Sequence, residues 1–206
     1  NGQVVVSYEY DFTGHRVKRT TPTSTIVYPA EDYEVNLQTN EISRYVLHGP
    51  MNSARVELTN TTTVYYYANH IENNVLVTSD DGQEIHLSYK PFGEDVDTSA
   101  SAKFKFSGRY WDTEARLYYF RERFYDPAIG RFISADSVLG GGDDVVTSYN
   151  RYAYVLNSPL NYIDPNGQSI WDSIAGIIVG VVEVAAGVAL DILSGGTLAV
   201  VGNGLI

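Results

Sequence analysis

Cysteine is absent from this 206-residue chain. Its absence excludes a disulfide and a thiolate zinc site, and it fits an extracellular or an intracellular location alike. Basic residues are scarce: 14 Lys and Arg stand against 25 Asp and Glu, for a net charge of −11. Phosphate binding needs a basic face, so no nucleic-acid partner is expected. The four histidines, His15, His48, His70 and His86, are scattered without ligand spacing and read as strand-face residues, so no metal is expected. There is no Gly-x-Ser-x-Gly elbow. Gly140-Gly141-Gly142 lacks a following Lys-Ser or Lys-Thr and reads as a loop, not a phosphate cradle. Asp143-Asp144 beside it reads as solvated, and no cofactor is implied. Asn1 is not an initiator and no signal peptide opens the chain, so the expectation is an internal or C-terminal piece of something longer.

What is abundant is tyrosine, 17 of them, with Val, Ile and Thr dominating the first hundred residues. That composition favours strands. The length allows one or two domains with a real core. Residues 1–93 divide into short candidate strands at hairpin spacing: Val4–Tyr10, Arg16–Thr20, Thr25–Tyr28, Tyr33–Leu37, Ile42–His48, Ala54–Leu58, Thr63–Ala68, Val75–Thr78 and Glu84–Tyr89. Asp80-Asp81-Gly82 is a hairpin turn. In Tyr10-Asp11-Phe12-Thr13-Gly14-His15-Arg16 the Tyr packs, Asp and Gly turn the chain, and Arg starts the return strand. Such hairpins must stack, because none buries its own apolar face. An ordinary β-sandwich is the other arrangement this pattern allows. The tyrosine runs read as packing ladders, though tyrosine faces also bind sugars.

The stretch from Gly108 to Gly167 organises the rest. Its centre is Tyr125-Asp126-Pro127-Ala128-Ile129-Gly130-Arg131-Phe132-Ile133-Ser134-Ala135-Asp136. Asp126-Pro127 sets a turn, and Gly130 takes a conformation that a side chain resists. Arg131-Phe132-Ile133 reads as a short strand that delivers Asp136 to its end. Downstream, Tyr152, Tyr154 and Leu156 alternate like one strand face, and Pro159 stops it. Asp164-Pro165-Asn166-Gly167 is a strong turn signal. Tyr118, Phe120, Phe132, Tyr152 and Tyr154 are the expected core. Trp111 to Phe124 is ambiguous between helix and strand. Asp95–Ala102, small and acidic, reads as a linker.

Tyr-Asp-Pro-x-x-Gly-Arg-Phe, an aliphatic, Ser, any residue and Asp, then Asn-x-Tyr-x-Tyr-x-x-Asn-x-Pro and Asp-Pro-x-Gly, is a specific series of motifs. It resembles the RHS repeat-associated core, the C-terminal module of RHS and YD-repeat proteins. Ser137 stands where the family usually has Pro, and Gln168 where its toxin-bearing members usually have Leu. The segment between Asp136 and Asn150 is also longer than in the toxin-complex C-proteins. Tyr10 to Arg16 matches the Tyr-Asp repeat. Tyr65 to Ile71 with Val75 to Thr78 looks like the last repeat before the core, and Tyr89-Lys90-Pro91-Phe92-Gly93 like its usual end.

The resemblance implies a mainly β chain. Residues 1–97 would be antiparallel YD-repeat hairpins forming a strip of an RHS β-shell, and 98–168 the core curled against it. It favours strand for Leu117–Phe120 and Phe124-Tyr125. A closed shell needs many more repeats, so the strip alone encloses nothing. Partners would be the remainder of the shell, the C-terminal effector segment, and a secretion or toxin-complex component, in a secreted or cell-surface protein. In self-cleaving members the positions matching Asp136 and Asp164 form an aspartyl protease dyad assisted by an Arg, here Arg123. The bond cut would be Gln168–Ser169. Two carboxylates held close share one proton; the charged one activates water and the protonated one polarises the scissile carbonyl. Turn-capping roles for both Asp residues stay open, as does an uncleaved structural or adhesive surface protein without enzymatic activity.

Beyond Gly167 the composition changes. Ile174–Leu190 is almost wholly apolar, interrupted by Glu183, and Gly176 and Gly180 have a small-x-x-x-small spacing. The expectation over 169–206, the start of a variable effector segment, is a helix from about Ile170 to Leu193, broken at Ser194-Gly195-Gly196. It would either pack inside the protein or touch a membrane through 170–206. Glu183 disfavours a span.

Overall fold

The computed structural model describes residues 5–48, 54–137, 150–168, 200–201 and 204–205. Nine strands form one antiparallel sheet in strict chain order. They are β1 (Ser7–Tyr10), β2 (Arg16–Thr20), β3 (Thr25–Ala30), β4 (Tyr33–Asn36), β5 (Ile42–His48), β6 (Ala54–Leu58), β7 (Thr63–Ala68), β8 (Asn74–Ser79) and β9 (Glu84–His86). Every strand pairs antiparallel with the next, as hairpin spacing predicts. At the β8–β9 turn Gly82 takes φ +86 and donates its N–H to the Ser79 carbonyl at 3.0 Å. At the β1–β2 turn Asp11 Oδ1 accepts the N–H groups of Thr13 and His15, at 2.8 and 3.0 Å. The tyrosine expected to pack there, Tyr10, is 45% exposed, and Phe12 is fully exposed. The turn is built by Asp11 and Gly14, not by an aromatic anchor.

A second sheet follows, also in chain order: β10 (Tyr110–Asp112), β11 (Leu117–Tyr119), β12 (Phe124–Asp126) and β13 (Arg131–Phe132). Trp111 to Phe124 is therefore strand, turn and strand, not helix. The two sheets carry two aromatic clusters. One gathers Phe106, Tyr118, Phe120, Tyr125, Phe132 and Tyr154. The other joins Tyr45, Tyr66 and Val77 of the large sheet to Phe104, whose ring meets Tyr45 and Tyr66 edge-on at 5.0 and 5.6 Å. Edge-to-face pairs of this kind add to the burial of apolar area.

Two expectations fail between Tyr152 and Leu156. The run is not a strand. After the single bridge Arg131↔Ala153 the chain closes a tight turn over Val155–Asn157. Asn157 N–H reaches the Tyr154 carbonyl at 2.9 Å, and Val155, Leu156 and Asn157 all take positive φ. An extended run would put all three alternating residues on one face. The turn buries only Tyr154, and leaves Tyr152 and Leu156 at 45% and 44% exposure.

The face of the large sheet that meets the second sheet is unusually polar. Glu34 and Glu57 are buried there. Lys103 donates to Glu34 Oε1 at 2.6 Å, to the Tyr45 hydroxyl at 3.0 Å and to Glu57. Tyr66 donates to Glu57 Oε2 at 2.9 Å. Arg19 of β2 forks onto Asp112 of β10, Nε to Oδ2 at 2.7 Å and Nη2 to Oδ1 at 2.9 Å. Tyr8 donates to the same carboxylate at 2.8 Å. The proposed linker is tied down by Lys105, which reaches Asp95 at 2.7 Å and the Ala100 carbonyl at 2.9 Å. Apolar side chains are turned outward instead: Val46, Leu58, Tyr65 and Tyr67 stand exposed on the opposite face.

The expected helix over 170–193 lies outside the described residues. Among those described beyond 168, Val200–Val201 and Gly204–Leu205 form a two-residue antiparallel pair. No helix among the described residues is long and apolar enough to cross a membrane.

Candidate functional site

Three of the residues singled out from sequence meet at one point, although 41 residues separate Arg123 from Asp164. Arg123 enters from the turn before β12. Its Nη2 lies 2.7 Å from Asp136 Oδ2 and 3.4 Å from Asp164 Oδ2. Both carboxylates thus face one guanidinium nitrogen. The guanidinium stacks 3.6 Å from the centre of the Phe132 ring, which fixes its plane. Its Nη1 donates to the Arg151 carbonyl at 3.0 Å, and its Nε to the Gly167 carbonyl. All three side chains are buried, with Asp164 only 2% exposed.

Each Asp is held by local backbone as well. Asp136 lies just past β13; its N–H donates to the Arg151 carbonyl at 2.9 Å, and Arg151 Nε returns a bond to the Asp136 carbonyl at 2.7 Å. Asp164 opens the Asp-Pro-Asn-Gly turn. Its Oδ1 accepts the Gly167 N–H at 2.7 Å and the Asn166 N–H at 3.4 Å. The turn-capping role read from sequence is real, and it leaves Oδ2 facing Arg123. Asn166 and Gln168 exchange two bonds, Asn166 Nδ2 to Gln168 Oε1 and Gln168 N–H to Asn166 Oδ1, both at 3.1 Å. Ser169 lies outside the described residues.

The electrostatics set the Asp164 carboxyl apart. Burial pushes it above the usual carboxylate value, and this outweighs the opposing pull of the Gly167 N–H, Arg123 and Arg109. Arg123 is pushed down by its own burial, against the attraction of Asp136 and Asp164. A raised carboxyl beside a second carboxylate that is ion-paired at 2.7 Å is the asymmetry that acid–base pairs need.

Gly167 is the tightest point of the site. It takes φ +78, and a Cβ there would lie 2.6 Å from the Phe120 carbonyl oxygen. Gly167→Ala is therefore expected to cost about 1–3 kcal/mol for the overpacking, beyond the backbone strain. Gly82, at φ +86 with nothing within 4 Å, supplies the control. A thermal melt should show a clearly larger fall in Tm for Gly167→Ala than for Gly82→Ala. Equal falls would mean that the contact with Phe120 has no energetic weight.

Sequence reasoning missed Arg151, which carries both Arg123 and Asp136 on its backbone carbonyl. It also missed Phe132 as the platform for Arg123. Phe132 is the Phe of the Gly-Arg-Phe motif and was expected only as core; Arg151 fills the unspecified position of Asn-x-Tyr and had no signal of its own.

No protein-family model matches the sequence. Among curated proteins, the chain is 27% identical over 177 residues to the tRNA3(Ser)-specific nuclease WapA of Bacillus spizizenii, covering 80% of this chain and 8% of that protein. It is 47% identical over 64 residues to toxin protein Tse5 of Pseudomonas aeruginosa, covering 31% of this chain and 4% of that one. Among solved structures, TcdB2-TccC3 without its hypervariable C-terminal region superposes with a TM-score of 0.62 at 26% identity, over 79% of this chain and 9% of that chain. The chain thus spans less than a tenth of the length of each. The architecture is the β-rich, RHS/TccC-like one, and these similarities support an RHS-related family.

Proposed function

We propose that this chain is the C-terminal part of an RHS-type toxin or delivery protein, and that it cleaves itself between Gln168 and Ser169. One observation carries the reading: Arg123, Asp136 and Asp164 converge on a single guanidinium nitrogen, with Gly167 bound to the same arginine. In this reading residues 1–97 are a strip of a β-shell and 98–168 its plug. Residues 169–206 begin the segment set free. The similarity to toxin proteins supports delivery, and with it an extracellular or delivered location and a toxin-complex or secretion partner.

The chemistry follows from the asymmetry of the two carboxyls. Asp136, closest to Arg123, takes a proton from water as the oxygen attacks the Gln168 carbonyl carbon. Asp164, whose protonated form burial favours, donates toward the carbonyl oxygen. As the tetrahedral intermediate collapses and the C–N bond breaks, the Ser169 nitrogen takes the proton held by Asp136 and leaves as an amine, while the former carbonyl oxygen gives its proton back to Asp164. Arg123 orients the first carboxylate and, through its Nε, pins the backbone one residue before the scissile carbonyl. The general acid must hold its proton, so the rate should fall as pH rises through the raised value of Asp164.

A denaturing gel followed over time at several pH values tests this. Cleavage should be fastest on the acid side and fall as Asp164 ionises. A rate that climbs steadily with pH would point to hydroxide attack and remove Asp164 as the acid.

A further inference from the structure

We infer that a second, unassigned site lies between the two sheets, and that it binds a carboxylate carried on an apolar body. The cleft has a volume of about 430 Å³ and opens to solvent on one side. Strands β2 and β3 and the β3–β4 turn wall one side, and β10 and β11 the other. At its side stands Arg16, only 8% exposed. Its guanidinium sits among tyrosine rings, 4.2 Å from Tyr119, 4.4 Å from Tyr28 and 5.0 Å from Tyr110. Its Nε and Nη1 are buried and have no acceptor, and the buried Tyr28 hydroxyl has no partner either.

Buried donors without acceptors are rare and costly, so a cluster of them asks for a ligand. Arginine and a tyrosine hydroxyl both donate, and the shape of a guanidinium fork suits a carboxylate. Of the four carboxylates in the lining, Asp11, Glu31, Asp32 and Glu34, three are engaged elsewhere. Glu31 pairs with Arg121 at 2.9 Å and with His15 at 3.3 Å, and Glu34 with Lys103 at 2.6 Å. Asp11 is held by its own turn. Deeper in, two further arginines, Arg55 and Arg109, each have a buried Nε without an acceptor. Burial, with Arg109 beside it, pushes Arg55 down to about 10. Arg109 lies 3.8 Å from Glu72, so among the described residues it is Arg16 and Arg55 whose charge has no carboxylate in ion-pair reach, next to aromatic rings that suit an apolar body. Two sources could carry that carboxylate: a free small acid, or an acidic side chain on a peptide segment.

Benzoate and its neutral analogue benzamide are suitable probes. The full chain, labelled with ¹⁵N-arginine, would be titrated with each while the Arg16 Nε–Hε resonance is followed by NMR. Benzoate should move that resonance to saturation, and benzamide should bind at least about tenfold more weakly, or ~1.4 kcal/mol. Arg16→Met should abolish benzoate binding. Should that variant not fold, Tyr28→Phe removes one hydroxyl and should weaken benzoate about tenfold, a further ~1.4 kcal/mol. A capped Ala-Glu-Tyr-Ala peptide forms the second arm. Tighter binding of the peptide than of benzoate assigns the site to an acidic segment, and the reverse assigns it to a small acid. Benzamide binding as well as benzoate, an Arg16 resonance that does not move, or undiminished binding by Arg16→Met would overturn the inference.

Discussion

Asp136→Asn and Asp164→Asn should each stop self-cleavage while leaving the fold intact. The expected loss is about 10²–10⁴-fold, the range for a positioned general acid or base. The two substitutions barely change volume. Asn at 164 can still accept the Gly167 and Asn166 N–H groups through its side-chain oxygen, so the turn survives and only the proton is lost. Asn at 136 keeps the backbone bonds with Arg151, which involve the main chain of Asp136 and not its carboxylate. Because the two residues act as one unit, the double variant should be little slower than either single one. Arg123→Ala should also stop cleavage, but with a cost in stability, since it removes the cation 2.7 Å from the buried Asp136 carboxylate. If the Leu usual in the resembling family fits a pocket beside the dyad, Gln168→Leu should quicken cleavage. If both Asn variants cleave at the wild-type rate, the dyad is not the catalyst.

Arg19→Met should destabilise the chain by roughly 3–5 kcal/mol, the cost of stranding one partner of a buried ion pair. Arg19 is 4% exposed and Asp112 is 0% exposed, and their forked pair joins the large sheet to the second one. In the wild type, burial works to raise the Asp112 carboxyl. The Arg19 fork, the Ala115 N–H and the Tyr8 hydroxyl outweigh it and hold the carboxyl below the usual value. The stabilisation from a depressed carboxyl is fully present above its unfolded value and is lost as pH falls through the folded one. In Arg19→Met the main partner is gone, and the carboxyl should titrate higher. The difference in Tm between the two chains should therefore shrink as pH falls. Arg19→Met combined with Asp112→Asn removes the stranded charge, keeps an amide oxygen to accept the Ala115 N–H, and turns the amide NH2 toward the Tyr8 hydroxyl oxygen, which can accept from it. It should recover most of the loss. A double variant as unstable as Arg19→Met would show that packing around Arg19, and not the charge, carries the effect.

The strand layout was legible because local chemistry dictates it. Arg16–Thr20, Ile42–His48, Ala54–Leu58 and Thr63–Ala68 begin and end where the sequence pattern puts them; Asp11, Asn36 and Thr59 hold the turns before Arg16, before Ile42 and after Leu58 through side-chain bonds to backbone N–H groups. The polar inward face was not legible. Alternation in Tyr33-Glu34-Val35-Asn36 suggests Tyr33 and Val35 inside, yet Glu34 is the buried one. Its partner Lys103 lies 69 residues away, and the partner of Arg19 lies 93 away. No local pattern reports pairings of that range. Tyr152 and Leu156 failed for a different reason: alternating letters do not distinguish an extended strand from a turn with positive φ at three successive residues. The site was legible as far as Asp136, Asp164 and Arg123, through motif resemblance. The motif supplies the Phe132 ring but not its contact with Arg123, and the Arg151 carbonyl holds the same site from a position the motif leaves unspecified.

The account rests on cleavage in cis at one bond, and the mass of the fragments tests that most directly. Purified chain would be incubated at mildly acidic pH, denatured and weighed by mass spectrometry, with Asp164→Asn alongside. The account predicts two products from the wild type, one ending at Gln168 and one beginning at Ser169, at a rate independent of protein concentration, and none from Asp164→Asn. A wild-type chain that keeps its full mass after prolonged incubation, or that breaks at another bond, would contradict it and leave residues 98–168 as a structural plug.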